Sequence, residues 1–355
     1  MQRANRPAAL GGAAVTIAGA PTRRIGQTTL ELPVFGFGTA HIGELYSRVP
    51  EAESRATLQA AWDGGIRYFD TAPWYGRGLS EHRLGGFLRT QPRKDFKITT
   101  KVGKTLHRPA DPATFDRAPW TGGLNFDVRF DYSYDGIMRS YEQALQRLAL
   151  DTIDALVIHD LDIDFHGENL ARHEAQLIDS GLRALQQLKA SGDIQAYGMG
   201  VNNNHAFETL LPRVALDFCL VAMPYTLLDQ QSLHHGMAHL ARAGASAIIG
   251  APFASGILVT GSQGTAHYAY GKAPAAIQDK VRAMESVCAA HNVALPAAAL
   301  QFVLAHPVTA SVIPGASNPD EIRQNLASLD APIPAAFWAD LRAQGLIDPA
   351  APVPS

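Results

Sequence analysis

Cysteine is scarce in this chain: Cys219 and Cys288 are the only two in 355 residues. Both lie in apolar stretches. That argues against a disulfide-stapled secreted scaffold and for two buried thiols in a reducing compartment, here expected to be the cytoplasm. A surplus of one charge is also missing. Thirty Lys and Arg stand against 33 Asp and Glu, a formal net charge of −3, and no basic tract or stripe occurs. Nucleic-acid binding therefore has no electrostatic footprint. No run of 18 apolar residues is present, so no segment reads as a membrane-spanning helix. The N-terminus carries Arg3 and Arg6 before a stretch of mostly Ala and Gly, with Leu10, Val15 and Ile17 as its only large aliphatics. That is a poor apolar core for a signal peptide, so residues 1–21 are expected to be a disordered leader or to precede the true start. The glycine fingerprint G-x-G-x-x-G is lacking too. Gly36-Phe-Gly38-Thr-Ala-His-Ile-Gly43 has its third glycine misplaced. This speaks against an open doubly wound dinucleotide fold. A nicotinamide cofactor would need a different phosphate site.

Short apolar runs that end in polar residues or glycine are abundant. Eight of them recur: Phe35–Thr39, Arg67–Asp70, Ile98–Lys101, Ala155–His159, Ala196–Val201, Phe218–Met223, Ala247–Gly250 and Ala310–Pro314. Several are continuously apolar, as in parallel strands buried on both faces. Helical stripes lie between them, such as Ile137, Tyr141, Leu145 and Leu148, or Ile178, Leu182, Leu185 and Leu188. Strand then helix, eight times over, predicts an α/β fold, a (β/α)8 TIM barrel over residues 22–346, with 347–355 as a C-terminal tail. The polar stretch from Arg23 to Leu32 predicts a hairpin that plugs the barrel's N-terminal end.

In such a barrel, chemistry gathers at the C-terminal ends of the strands. Asp70, Lys101 and His159 end the second, third and fourth strands, and Tyr75 follows in the loop Thr71–Gly78. A charged residue at the end of a buried strand needs a partner. A lysine cation about 4 Å from a phenol is worth about 4 kcal/mol at an effective dielectric of about 20. That would lower the tyrosine pKa by up to about three units before desolvation. Asp70 would hold Lys101, His159 would orient the reacting oxygen, and Tyr75 would be the general acid or base.

The segments Tyr68-Phe-Asp-Thr-Ala-Pro-Trp-Tyr-Gly76, Thr100-Lys101-Val-Gly and Val157-Ile-His159 resemble the aldo-keto reductase superfamily from about Arg24 to Leu329. The resemblance implies a catalytic tetrad on Asp70, Tyr75, Lys101 and His159, and NAD or NADP extended across the barrel mouth. It implies cofactor contacts from Gly38, Thr39 and Asp70. It also implies contacts from Asn202 and Asn203 after strand five, and from Phe253, Ser255, Gly256, Ile257 and Leu258 after strand seven. After strand eight, Gly315, Ala316, Ser317, Glu321 and Asn325 would hold the adenosine end. Independently of that likeness, Asn318 and Pro319 there suit the start of a helix, whose free N–H groups favour a phosphate. Ala222 and Gly250 stand where many members carry a glutamine and a tyrosine at the nicotinamide, so Phe253 or Tyr225 is expected to substitute. Gly315 and Glu321 replace the lysine and arginine of many NADP-dependent members, which implies a preference for NAD, with NADP also possible.

The loop His159–Asn169, with Tyr225–Gln230 and Phe253–Leu258, resembles the branch that oxidises cyclic hemiacetals of aldoses or pyridoxal to lactones. Asp160, Asp162, Asp164, His166 and Glu168 of that loop would offer acceptors for sugar hydroxyls. The expected ligand is thus a small molecule, with no metal, nucleic acid or membrane partner and no sign of oligomeric state. The alternatives are a general NADPH-dependent aldehyde or ketone reductase, a metal-dependent barrel hydrolase and a non-catalytic regulatory subunit. The histidines 234, 235 and 239 lack the third ligand a zinc helix needs and read as an exposed helical face.

Overall fold

The computed structural model describes residues 19, 21–263, 267–268 and 271–354. The leader expected over 1–21 lies almost wholly outside the described residues. Strands run β1 (Thr22–Arg24), β2 (Glu31–Pro33), β3 (Phe37–Gly38), β4 (Tyr68–Asp70), β5 (Lys97–Val102), β6 (Lys104–His107), β7 (Asp127–Phe130), β8 (Ala155–Ile158), β9 (Ala196–Val201), β10 (Phe218–Val221), β11 (Ser246–Ile249), β12 (His267–Tyr268), β13 (Gly271–Lys272) and β14 (Thr309–Val312). Eight form one parallel sheet in the order β14-β11-β10-β9-β8-β5-β4-β3. Parallel bridges Phe35↔Val312 and Gly38↔Gly315 join its two ends, closing the barrel. Every run read as a strand overlaps one of these eight.

The two-residue period of a strand sorts the core into an inside and an outside. Tyr68, Ala155, Val157, Ala196, Phe218, Leu220, Ile248, Ala310 and Ile313 pack together inside the barrel. Ile25, Leu30 and Leu32 join that inner cluster. They come from the antiparallel β1–β2 hairpin and its turn, which plugs the barrel floor as the sequence suggested. Alternate residues such as Leu156 and Ile158 face the helical shell instead. No single helix among the described residues is long and apolar enough to cross a membrane. Ile347 and Ala351, at the C-terminal end, are buried in the outer cluster.

The same period positions the site. Tyr68 points inward, so Asp70 does also. Val157 points inward, so His159, two residues on, turns toward the mouth. A second hairpin, β6–β7, rises from the mouth directly after β5 and carries the long loop 108–126. The sequence had not shown that hairpin, because its strands are short and only weakly apolar.

Candidate active site

Lys101 and Asp70 are each about 1% exposed at the bottom of the mouth. Lys101 Nζ donates to Asp70 Oδ1 at 2.6 Å and to the Thr71 carbonyl at 2.8 Å. Thr99 Oγ1 donates to the other carboxylate oxygen at 2.6 Å. The pair is thus paired and hydrogen-bonded, the condition for burying charge. Lys101 Nζ also lies 4.6 Å from the centroid of the Tyr75 ring. On the far side, Tyr75 meets the His159 ring edge-on at 6.0 Å and the Trp120 ring at 5.7 Å.

Tyr75 reaches this place through an unusual turn. Gly76, Arg77 and Gly78 have φ of 62°, 54° and 99°. A Cβ on Gly76 would lie 2.5 Å from the Gly43 carbonyl oxygen, so only glycine lets the two loops meet. Arg77 points away under the loop 108–126 and donates to the carbonyls of Phe126 (3.1 Å) and Asp116 (3.4 Å). That anchors Trp120, which is 3% exposed. Its indole Nε1 is buried with no partner among the described residues. Sequence reasoning missed Trp120 and Arg77. Nothing in a long polar loop marks which residue folds back.

The tyrosine pKa differs from expectation. Burial pushes the Tyr75 phenol well above its ordinary value, and the carboxylates of Asp70 and Asp160 push it further. The expected lowering by Lys101 fails for a physical reason. Asp70 already neutralises that cation, and burial of the phenol disfavours its ionised form. Burial likewise holds His159 well below the usual histidine range, against the opposing pull of Asp160. The resting chain therefore carries a neutral phenol and a neutral imidazole side by side.

Residues 34–344 match the pattern of the Aldo/keto reductase family. The chain belongs to that family. It is 40% identical to a pyridoxal 4-dehydrogenase of Microbacterium luteolum over 337 residues, which cover 92% of this chain and 97% of the relative. It is 36% identical to a D-threo-aldose 1-dehydrogenase of Pseudomonas sp over 330 residues, 90% and 95% of the two chains. The holo form of an aldo-keto reductase from Bacillus halodurans superposes with a TM-score of 0.69 at 26% identity, covering 93% of this chain and 97% of that one. This aldo-keto reductase is an NAD(P)-dependent oxidoreductase.

The residues present fit such a cofactor. Gly256 has φ 104°, and nothing lies within 4 Å of where its Cβ would stand, so the backbone of the loop after β11 is open to a ligand there. Gly38 and Gly315 are bridged side by side at the rim. A Cβ on Gly38 would lie 2.7 Å from the Ile313 carbonyl oxygen, and one on Gly315 would lie 2.4 Å from His41 Nδ1. Phe253, in the same loop, is half-buried.

Several of the residues expected at the cofactor have side chains buried or engaged within the protein. Thr39 is wholly buried, and its hydroxyl is committed to the Asp70 carbonyl and to Ser80, so it braces Asp70 from below. Ile257 and Leu258 are wholly buried and Ala316 is 1% exposed, so their side chains shape the loops from beneath. Asn203 is used at both ends, donating to Asp164 and accepting from the His205 N–H. The Asn202 amide nitrogen bridges Asp160 and Asp162. Tyr225 turns outward to stack on Phe302 at 5.6 Å, so it does not substitute at the nicotinamide. The acids of the His159–Asn169 loop are also largely spent within the protein. Asp162 caps the short helix at Asp164 and Phe165, and His166 meets the Tyr132 hydroxyl.

At the helix Pro319–Leu329, Asn318 accepts from the Glu321 N–H, as a cap should. The Glu321 carboxylate in return accepts from the Ser317 N–H at 2.7 Å and from Asn318 Nδ2 at 2.8 Å. This reciprocal arrangement fills the helix start with the chain's own negative charge. It is therefore a poorer phosphate site than a free helix N-terminus. Asn325 Nδ2 holds the Gly315 carbonyl at 3.2 Å. Among the described residues no group of three His, Cys, Asp or Glu converges as a metal site.

Proposed function

We propose that this aldo-keto reductase oxidises the hemiacetal carbon of a cyclic substrate to a lactone, with NAD as the oxidant. The substrate would be an aldose at C1 or the internal hemiacetal of pyridoxal. The observation that carries the reading is the stack of the Lys101–Asp70 pair, the Tyr75 ring and the His159 ring on one side of the mouth. The named activities of the relatives at 40% and 36% identity supply the substrate class. When bound, the nicotinamide supplies the acceptor for the hydride that leaves the substrate carbon. Tyr75 Oη takes the hydroxyl proton as C–O becomes C=O. His159 orients that oxygen, and Lys101, fixed by Asp70, keeps a cation against the tyrosine. The free, buried Cys219 and Cys288 suit a reducing cytoplasm.

The test gives purified protein NAD with pyridoxal, L-fucose, D-arabinose, L-galactose and L-xylose, and checks the product for lactone by mass. One observation favours a second reading, a general aldehyde reductase. Asp160 and Asp162 are buried, whereas Tyr46, Phe126 and Phe165 are exposed aromatic residues at the mouth end. Efficient reduction of simple aldehydes with NADPH, and no lactone from any of the five, establishes that second reading instead.

The raised tyrosine pKa sets the pH dependence. As a base, Tyr75 must first lose its proton. Below its pKa the ionised fraction grows about tenfold per pH unit. The expected kcat for oxidation therefore climbs steadily through the alkaline range, while reduction, which uses the protonated form, is favoured at neutral pH. A flat oxidation profile from about pH 6 to about pH 10 would remove Tyr75 from the role of base.

Cofactor choice follows from Glu321. A ribose 2′-phosphate would meet a carboxylate held in place by Ser317 and Asn318. Arg323, the nearby cation, pairs outward with Asp320. The expected kcat/KM favours NAD by about tenfold or more, equivalent to about 1.4 kcal/mol. Equal efficiency with both cofactors contradicts this.

A further inference from the structure

A long polar loop delivers one large ring to the catalytic tyrosine. Of residues 110–126 only Trp120 and Gly123 are buried. The backbone fixes that ring from both sides. Trp120 forms an antiparallel bridge with Leu45, in the loop after β3. The Thr121 N–H donates to the Glu44 carbonyl at 3.0 Å, and the Leu124 N–H donates to the Gly76 carbonyl at 2.8 Å. Arg83 fastens the loop after β3 in turn, at Glu44 Oε1 (3.1 Å) and at the Val49 carbonyl (2.9 Å). The turn that follows Tyr75 is thus tied to the loop that carries Trp120. The Trp120 ring lies 5.7 Å from the Tyr75 ring, tilted by 50°, and 5.8 Å from the Trp74 ring, edge-on. Aromatic pairs attract in tilted and edge-on arrangements at such separations.

Pinning the loop does not by itself call for an indole. A buried indole N–H normally finds an acceptor, and Trp120 Nε1 has none among the described residues. A leucine would hold the loop down without stranding a donor. What the indole adds is a ring broad enough to meet Tyr75 and Trp74 together. We propose that Trp120 is a positioning residue for Tyr75: its ring keeps water from one side of the phenol and holds it against His159 and Lys101. The inference rests on Tyr75 being the group that exchanges the proton with substrate. Burial is the largest cause of the raised Tyr75 pKa, ahead of the carboxylates of Asp70 and Asp160. A phenolate needs water, a donor or a cation, and an aromatic ring beside it supplies none of these. The charged and titratable groups around the phenol are Lys101, Asp70, Asp160 and His159. Lys104 of β6 pairs with Asp160 and lies 5.0 Å from the centroid of the Trp74 ring. None of these groups belongs to residues 108–126. A change at Trp120 therefore alters the packing and the water around Tyr75 and leaves the charges in place.

The experiment labels tyrosine with 13C at Cζ, whose NMR shift changes when the phenol ionises, and assigns Tyr75 by the signal lost in Tyr75→Phe. In the unaltered enzyme Tyr75 should stay protonated beyond the ordinary tyrosine pKa of about 10. Ionisation at or below that value overturns the proposal without any further variant. Trp120→Ala lets water reach the phenol, so the Tyr75 pKa should fall and the alkaline rise in kcat should begin at lower pH. At its best pH this variant should still turn over about 10- to 100-fold more slowly, because a loosened phenol is out of line with the substrate. Trp120→Leu keeps an apolar side chain under the loop but no ring, and should move pKa and kcat in the same directions. Trp120→Phe, which returns a ring to Tyr75, should recover most of both changes. A Tyr75 pKa or a kcat left unaltered by Trp120→Ala and Trp120→Leu overturns the proposal. The NMR readout needs neither substrate nor cofactor, so an error in the assigned reaction and an error in this inference give different results.

Discussion

Tyr75→Phe is expected to lower kcat by about 10²–10⁴-fold, with cofactor affinity and thermal stability close to those of the unaltered enzyme. The phenylalanine ring keeps every contact that holds residue 75 in place. It can still meet His159 and Trp120 at the present ring distances and accept the Lys101 ammonium on its face. What disappears is the one hydroxyl placed to exchange a proton with the substrate oxygen. Steady-state kinetics with the best substrate of the panel, alongside a cofactor titration, measures both halves of the claim. Retention of more than about a tenth of kcat would mean that another group moves the proton.

Lys101→Met is expected to destabilise the fold by about 3–5 kcal/mol, because it leaves the Asp70 carboxylate buried with no cation. Thr99 still donates to that carboxylate, but one hydroxyl does not replace an ammonium. For a domain of this size the loss is about 4–7 °C in melting temperature. Adding Asp70→Asn to the same variant removes the stranded charge and should recover about half of the loss or more. Urea unfolding of the three proteins decides it. A loss below about 1 kcal/mol in the single variant would show that Asp70 takes up a proton or water at little cost. Activity should be lost in both variants, since neither keeps a cation against Tyr75.

Much of the architecture was legible because it is written in local patterns. The eight apolar runs each overlap a barrel strand, and the polar stretch after residue 22 forms the floor hairpin whose Ile25, Leu30 and Leu32 enter the inner core. Strand parity then carries Asp70, Lys101 and His159 to one mouth. The contacts around the cofactor were less legible. Thr39, Asn203 and Tyr225 have side chains of the right chemistry, yet each is committed to another part of the chain. Which partner a polar side chain takes depends on the residues that folding brings beside it.

The sequence by itself determined the barrel, its plug and the identity of the four residues at its mouth, since hydrophobic period and strand ends are local properties of the chain. Only the tertiary structure decided how those residues are charged. Lys101 was expected to draw the tyrosine pKa down, but Asp70 cancels it while burial and Asp160 raise it. The acids after His159 looked like a row of acceptors for a ligand. Lys104, Asn202, Asn203 and the short helix at Asp162 claim three of them first. Electrostatic energy depends on distances and on excluded water, and both are set by segments far apart in sequence.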